Sequence, residues 1–258
     1  MSDYSAIDRS PLVGFLFYPR KDITECPAGA FDLAVPVDPG IDIVCRFYMR
    51  NKDWPSILYF HGNGEVVSDY DGIAPFYHRA KINLVVADYR GYGASGGAPN
   101  FTNLLKDGRR VFASVRKELA RRSLRQDLRI MGRSLGSLCA LDLAHPYGEN
   151  IRGLIIESGF AGVTRLIRCL NLPTGGLNLE PLEEERMSMI RRIAVPALII
   201  HGESDTLIPV QEARHLYSAL GVEKKKLVII PGADHNNILF AGLDQYFLEL
   251  QQFMAETA

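Results

Sequence analysis

Leu128-Arg129-Ile130-Met131-Gly132-Arg133-Ser134-Leu135-Gly136-Ser137-Leu138-Cys139-Ala140-Leu141-Asp142-Leu143-Ala144 is the stretch from which the fold follows. Its first four residues read as a short buried strand. The residues after Ser134 read as a helix that is apolar on nearly every side, with Asp142 as its only charge. A helix that apolar belongs inside a larger fold rather than on its surface. Between strand and helix sits Gly132-x-Ser134-x-Gly136. A strand that passes directly into a helix needs a sharp bend, and glycines two residues to either side of the serine remove the side chains that would clash there. The serine is therefore expected on a strained tip with its hydroxyl directed away from the sheet. It also lies at a helix N-terminus, whose unpaired N–H groups favour developing negative charge.

Outward from this centre the chain alternates. Apolar runs at 56–60, 83–87, 153–157, 197–201 and 227–230 read as strands, and 68–80, 101–118, 210–220 and 237–256 read as helices. Uninterrupted apolar strands alternating with helices predict an α/β fold, with a mostly parallel central sheet covered by helices on both faces. Segments 31–37 and 41–49, joined by Asp38-Pro39-Gly40, predict an antiparallel N-terminal hairpin at one edge. Residues 1–30, with prolines at 11, 19 and 27, are expected to be coil on the surface around a short strand at 14–18. The excursion from 158 to 194 holds two candidate helices, at 163–170 and 182–192. The expected organisation is a single domain over 1–258 with a small cap inserted at 159–194.

The bulk properties exclude several classes. A chain of 258 residues with 47% hydrophobic and 23% charged residues is ordinary for a soluble globular domain. A formal net charge of −1 argues against nucleic acid or an anionic membrane surface as partner. Four cysteines without CxxC spacing read as reduced thiols, which suits a cytoplasmic location. No apolar run approaches the ~18 residues of a membrane span, so no membrane anchor is expected. Neither H-E-x-x-H nor a Cys/His cluster is present, so no cofactor or metal is implied.

In open α/β sheets ligands sit beyond the carboxyl ends of the strands. Those ends carry His61-Gly62-Asn63-Gly64, Ser134, His201-Gly202-Glu203-Ser204-Asp205 and Pro231-Gly232-Ala233-Asp234-His235-Asn236. A neutral serine hydroxyl is a poor nucleophile. Acyl transfer needs a base in contact with it and a carboxylate that holds the base in the right tautomer. Ser134, Asp205 and His235 fill these roles in chain order. Glu203, Glu157 and Asp88 compete with Asp205 for the carboxylate. His61 and His201 compete with His235, although each precedes a glycine and is expected to brace its own loop. His78, His145 and His215 fall in helical stretches. Arg133, beside the serine, is expected to turn away into a buried ion pair, with Glu157 as the candidate partner.

With these motifs in this order, the chain resembles the α/β-hydrolase superfamily from about residue 31 to the end. It is most similar to a branch of serine hydrolases that includes bacterial esterases and protein-depalmitoylating thioesterases. The resemblance implies Ser134 as nucleophile, Asp205 as acid and His235 as base. It also implies an oxyanion hole made by the backbone N–H groups of Leu135 and Asn63, and a structural role for Asp88. Asp234, where relatives often carry glycine, is expected to act electrostatically on the base. The expected activity is hydrolysis of a small-molecule carboxylic ester or thioester through an acyl-enzyme, with short acyl chains preferred. A peptidase or amidase on the same scaffold is the alternative, as is a binding protein with a disassembled triad. The apolar residues of the excursion, among them Phe160, Leu166, Ile167, Leu170, Leu172 and Leu177, either line an acyl pocket or fasten the cap to the sheet.

Overall fold

The computed structural model describes residues 3–258. The chain begins with two helical turns, α1 (Ser5–Asp8) and α2 (Val13–Leu16), followed by strands β1 (Ala30–Asp38) and β2 (Ile41–Tyr48). Next come β3 (Ser56–Phe60), α3 (Ala74–Arg79), β4 (Asn83–Ala87) and α4 (Phe101–Arg121). The centre is β5 (Leu128–Arg133), α5 (Ser137–Ala144) and β6 (Gly153–Glu157). Helices α6 (Val163–Cys169) and α7 (Glu180–Arg191) lie in the excursion before β7 (Ala197–Gly202), α8 (Val210–Ala219), β8 (Lys225–Ile230) and α9 (Ile238–Glu256).

Among the described residues eight strands form one sheet, in the order β1-β2-β4-β3-β5-β6-β7-β8. Only β2 runs against its neighbours; every other adjacent pair is parallel. Burial follows the pattern the sequence implied. All residues of β3 to β7 are buried, whereas the edge strands β1 and β8 alternate between inward and outward positions. Leu58, Phe60, Ile130 and Ile156 face one core with residues of α4, α5 and α8. Ile57, Tyr59, Met131 and Ile155 face another with residues of α3 and α9. The strand that leads to Ser134 is thus sandwiched in the middle of the sheet. Among the described residues no helix is long and apolar enough to cross a membrane, and Cys26, Cys45, Cys139 and Cys169 are all free thiols.

Four local expectations are corrected. Residues 14–18 do not form a strand. After Pro11 the N–H groups of Val13, Gly14 and Phe15 bond back three residues, and Leu12 and Leu16, at helical spacing, are buried together. The expected surface coil is found at residues 18–29 but not before them, where Tyr4, Ile7, Leu12, Leu16 and Phe17 join the main core. Asp8 accepts the Phe101 and Thr102 N–H groups at 2.8 and 3.1 Å, which satisfies the start of α4. The segment 68–80 is not one helix. Proline is tolerated only in the first turn, so with Pro75 the helix begins at Ala74, and a separate 3-10 turn covers Val67–Tyr70. Finally α9 breaks at Gly242 (φ −140°, ψ 35°), where a Cβ would press against Ile230.

Candidate active site

Each polar residue of the site follows a strand of the parallel sheet. Ser134 comes directly after β5 with φ +48°, a left-handed conformation that is costly for a residue with a side chain. The glycines make the bend feasible. A Cβ at Gly136 would run into the Phe60 carbonyl, and one at Gly132 into the Gly136 backbone. Asp205 lies three residues beyond β7 and His235 five residues beyond β8.

The three side chains meet. His235 Nε2 lies 3.0 Å from Ser134 Oγ, and His235 Nδ1 lies 2.7 Å from Asp205 Oδ2. With Nδ1–H donating to the carboxylate, Nε2 is left to accept from the serine hydroxyl. All three residues are buried. Asp205 is also held from its other side, since its Oδ1 accepts the N–H groups of Leu207 (3.0 Å) and Ile208 (2.8 Å). Burial alone would raise its pKa. The bonds from His201, His235 and the Ile208 N–H outweigh that effect and hold it well below the usual carboxylate range.

The competing residues are engaged elsewhere. His61 sits between the Gly62 carbonyl (2.8 Å) and Asp88 Oδ1 (3.1 Å), and Asp88 also accepts the Val67 N–H at 3.0 Å. His201 Nε2 donates to the Ile208 carbonyl at 2.8 Å, bracing its loop as expected, and also approaches Asp205 Oδ2 at 3.3 Å. Glu203 is exposed and accepts the Gly232 N–H at 3.1 Å. Glu157 is buried beneath the site, where its Oε1 lies 3.2 Å from Arg133 Nε and its Oε2 accepts the Tyr246 hydroxyl at 2.7 Å. Burial pushes the Glu157 pKa up, against the opposing pull of Arg133. The exposed Asp234 carboxylate accepts the N–H groups of Asn236 (2.8 Å) and Asn237 (2.9 Å), so it shapes the turn into α9.

Ser134 and His235 open onto a cavity of about 250 Å³ that Asn63 and Leu135 also border. Its other lining is mostly apolar. Phe160, Leu166 and Leu170 come from the excursion, Leu207 and Ile208 from the Asp205 loop, and Leu16 and Tyr18 from the N-terminal segment. All six apolar residues of the excursion pack in or against the core, and Phe160, Leu166 and Leu170 border the cavity as well. Asn63 is fixed by its side chain. Its Nδ2 donates to the Leu16 carbonyl at 3.1 Å, and its Oδ1 accepts the Tyr18 N–H (2.9 Å) and the Tyr92 hydroxyl (2.6 Å). Sequence reasoning does not place Leu16 and Tyr18 at the site, nor Glu65, whose carboxylate accepts the Gly62 N–H beside Asn63 at 2.7 Å. Glu65 directly follows His61-Gly62-Asn63-Gly64, and that position was the available signal. Leu16 and Tyr18 had none, being apolar residues in an irregular stretch.

Comparison with known proteins agrees with this architecture. The family described as serine aminopeptidase, S33, matches residues 54–176 and 184–239. Escherichia coli YfhR is 30% identical over 181 residues, which are 70% of this chain and 62% of YfhR; the chain thus spans less than two thirds of that relative. Human alpha/beta hydrolase domain-containing protein 17B is 28% identical over 242 residues, covering 92% of this chain and 77% of the human protein. Among solved structures, the Pyrococcus furiosus esterase Pf2001 superposes with a TM-score of 0.75 at 16% identity. That match covers 93% of this chain and 98% of Pf2001, and at such identity it speaks to the fold alone. With the family model matched over more than half of this chain and the sheet order and the glycine-flanked turn at Ser134 in place, the chain belongs to the S33 serine aminopeptidase family of α/β-hydrolases.

Proposed function

We propose that the protein hydrolyses a carboxylic ester or thioester through an acyl-enzyme intermediate. Ser134 is the nucleophile, His235 the general base and then general acid, and Asp205 the carboxylate that orients the imidazole. The observation that carries this reading is the unbroken line of hydrogen bonds from Ser134 Oγ through His235 to Asp205. As Ser134 Oγ attacks the substrate carbonyl, its proton passes to His235 Nε2. The backbone N–H groups of Leu135 and Asn63 receive the oxyanion. The imidazolium returns the proton to the departing alcohol or thiol. Water, deprotonated by the same imidazole, then releases the acid. Three donors on Asp205, from His235, Leu207 and Ile208, favour its ionised form.

The apolar wall receives the acyl chain. Each buried methylene contributes about 0.8 kcal/mol, so a cavity this small rewards the first few carbons and leaves a longer tail in water. The family description also raises cleavage of peptides from their amino end. An α-ammonium group needs a carboxylate partner, and among the described lining residues the only charged side chain is that of Arg133, a cation. Esters and thioesters therefore fit better. In a panel of p-nitrophenyl esters, acyl thioesters and aminoacyl anilides, kcat/KM is expected to peak at acyl lengths of roughly two to six carbons. Anilides turned over faster than esters would overturn the assignment, and a rate still rising at palmitate would overturn the short pocket.

A further inference from the structure

Arg133 borders two cavities, the one holding Ser134 and a second of about 130 Å³ that is also bounded by Glu65, Glu157 and three tyrosines. Its guanidinium addresses two separate loops and the end of β6. Nη2 donates to the main-chain carbonyl of His235 at 2.7 Å and to Asn236 Oδ1 at 3.2 Å. Nη1 pairs with Glu65 Oε1, and Nε lies 3.2 Å from Glu157 Oε1. Glu65 carries the connection onward, because its Oε2 accepts the Gly62 N–H at 2.7 Å and the Tyr70 hydroxyl at 2.8 Å. Gly62 immediately precedes Asn63. One buried cation, adjacent in sequence to Ser134, therefore fastens the backbone that bears His235 and, through Glu65, the loop that presents Asn63.

We infer that Arg133, with Glu65 as its relay, is a positioning residue that sets the His235 ring and the Asn63 N–H relative to Ser134. The inference rests on the serine-hydrolase reading of this site. The physical case is one of geometry. A planar guanidinium directs five donors in a fixed fork, which lets a single side chain fix three partners at once; a lysine ammonium has one nitrogen and no fork. Buried ion pairs contribute little net stability, because desolvation offsets the attraction, so the use of this one lies in the arrangement it enforces. Displacement of a catalytic group by about 1 Å costs on the order of 100-fold in rate. Space is equally constrained, since a Cβ on Gly62 would collide with Arg133 Nη1.

The test uses Arg133→Lys and Glu65→Gln in the full chain, with kcat expressed per Ser134 titrated by a fluorophosphonate, so that partial unfolding does not count as lost rate. Arg133→Lys is expected to lower kcat by about 30- to 100-fold with KM changed less than about threefold. Glu65→Gln keeps an acceptor for the Gly62 N–H but loses the charge pair, and is expected to lower kcat by roughly 5- to 20-fold. Together the two changes should cost much less than the product of their separate effects, because both break one linkage. The downfield NMR resonance of the His235 Nδ1 proton, recorded without substrate, should shift or broaden in both variants. Wild-type kcat per titrated site with an unmoved resonance would overturn the inference, even if only Glu65→Gln folds. Should the wild-type chain itself neither turn over esters nor take up the label, the functional reading fails, and the resonance alone then decides whether Arg133 positions His235.

Discussion

The cavity at Ser134 has a polar side and an apolar side, and they are built from different kinds of chain. On the polar side Ser134, Asp205 and His235 each follow a strand of the parallel sheet and are held by hydrogen bonds between 2.7 and 3.0 Å to defined partners. The apolar side comes from the N-terminal segment, the excursion that carries α6, and the loop at Leu207, and its side chains are placed by packing even where the backbone is hydrogen-bonded to Asn63 or Asp205. The contrast implies a division of labour. A polar group displaced by a fraction of an ångström loses its bond, whereas an aliphatic wall tolerates changes of shape with small losses. Changes on the first side should decide whether a bond is broken. Changes on the second should decide which acyl chain is attached to it.

The largest expected effect is that of Ser134→Ala, which should lower kcat by about 10⁶ and abolish fluorophosphonate labelling. Label found on another serine would dissolve the polar side as a functional unit. Next comes Asp205→Asn, expected to reduce kcat by roughly 10⁴ by favouring the wrong imidazole tautomer. Glu203→Gln, on the same loop but exposed and outside the hydrogen-bonded line, should change kcat by less than about threefold. Equal losses in the two variants would mean that the loop, and not the Asp205 carboxylate, is what matters. On the apolar side, Leu170→Ala should move the acyl-length optimum two to four carbons longer while changing kcat on acetate esters less than about fivefold. A collapse of activity on every ester would erase the distinction between the two sides. The smallest effect is expected for Asp234→Asn. That side chain neighbours His235 in sequence, yet its Oδ1 binds the Asn236 and Asn237 N–H groups, and an amide oxygen serves there equally. Its kcat/KM should stay within about twofold of wild type across pH 5–9, and a larger change would show that its charge reaches the base after all.

Legibility in the sequence divides along the same line. The sheet and the meeting of Ser134, Asp205 and His235 are readable because both depend on punctuation. Apolar runs of strand length end in glycine, serine, histidine or aspartate, and in parallel sheets those ends converge on one edge. The N-terminal segment is not readable in this way. Phe15, Leu16, Phe17 and Tyr18 read as a strand by composition, and only the Leu12/Leu16 spacing hints at the helical turn that forms. Nothing local distinguishes Leu16 at a cavity from Leu12 in the core. Arg133 was legible in part. Its ion pair with Glu157 follows from two charges at the ends of neighbouring strands β5 and β6. Its hold on His235 and Glu65 joins residues 102 and 68 positions away in sequence, and no spacing rule spans such a distance.

The latch between Asn63 and the backbone of Leu16 and Tyr18 ties the N-terminal segment to the end of the sheet where Ser134 lies. A chain trimmed to start at Ala30 would keep all eight strands and the three residues that meet at Ser134. It would lose one wall of the cavity, two of the three partners of the Asn63 side chain, and the Asp8 carboxylate that satisfies the start of α4. A boundary drawn around the sheet would therefore cut through the candidate site. On the proposed esterase reading, grafting residues 3–18 between related chains should change acyl preference with the sheet and its strand ends left untouched.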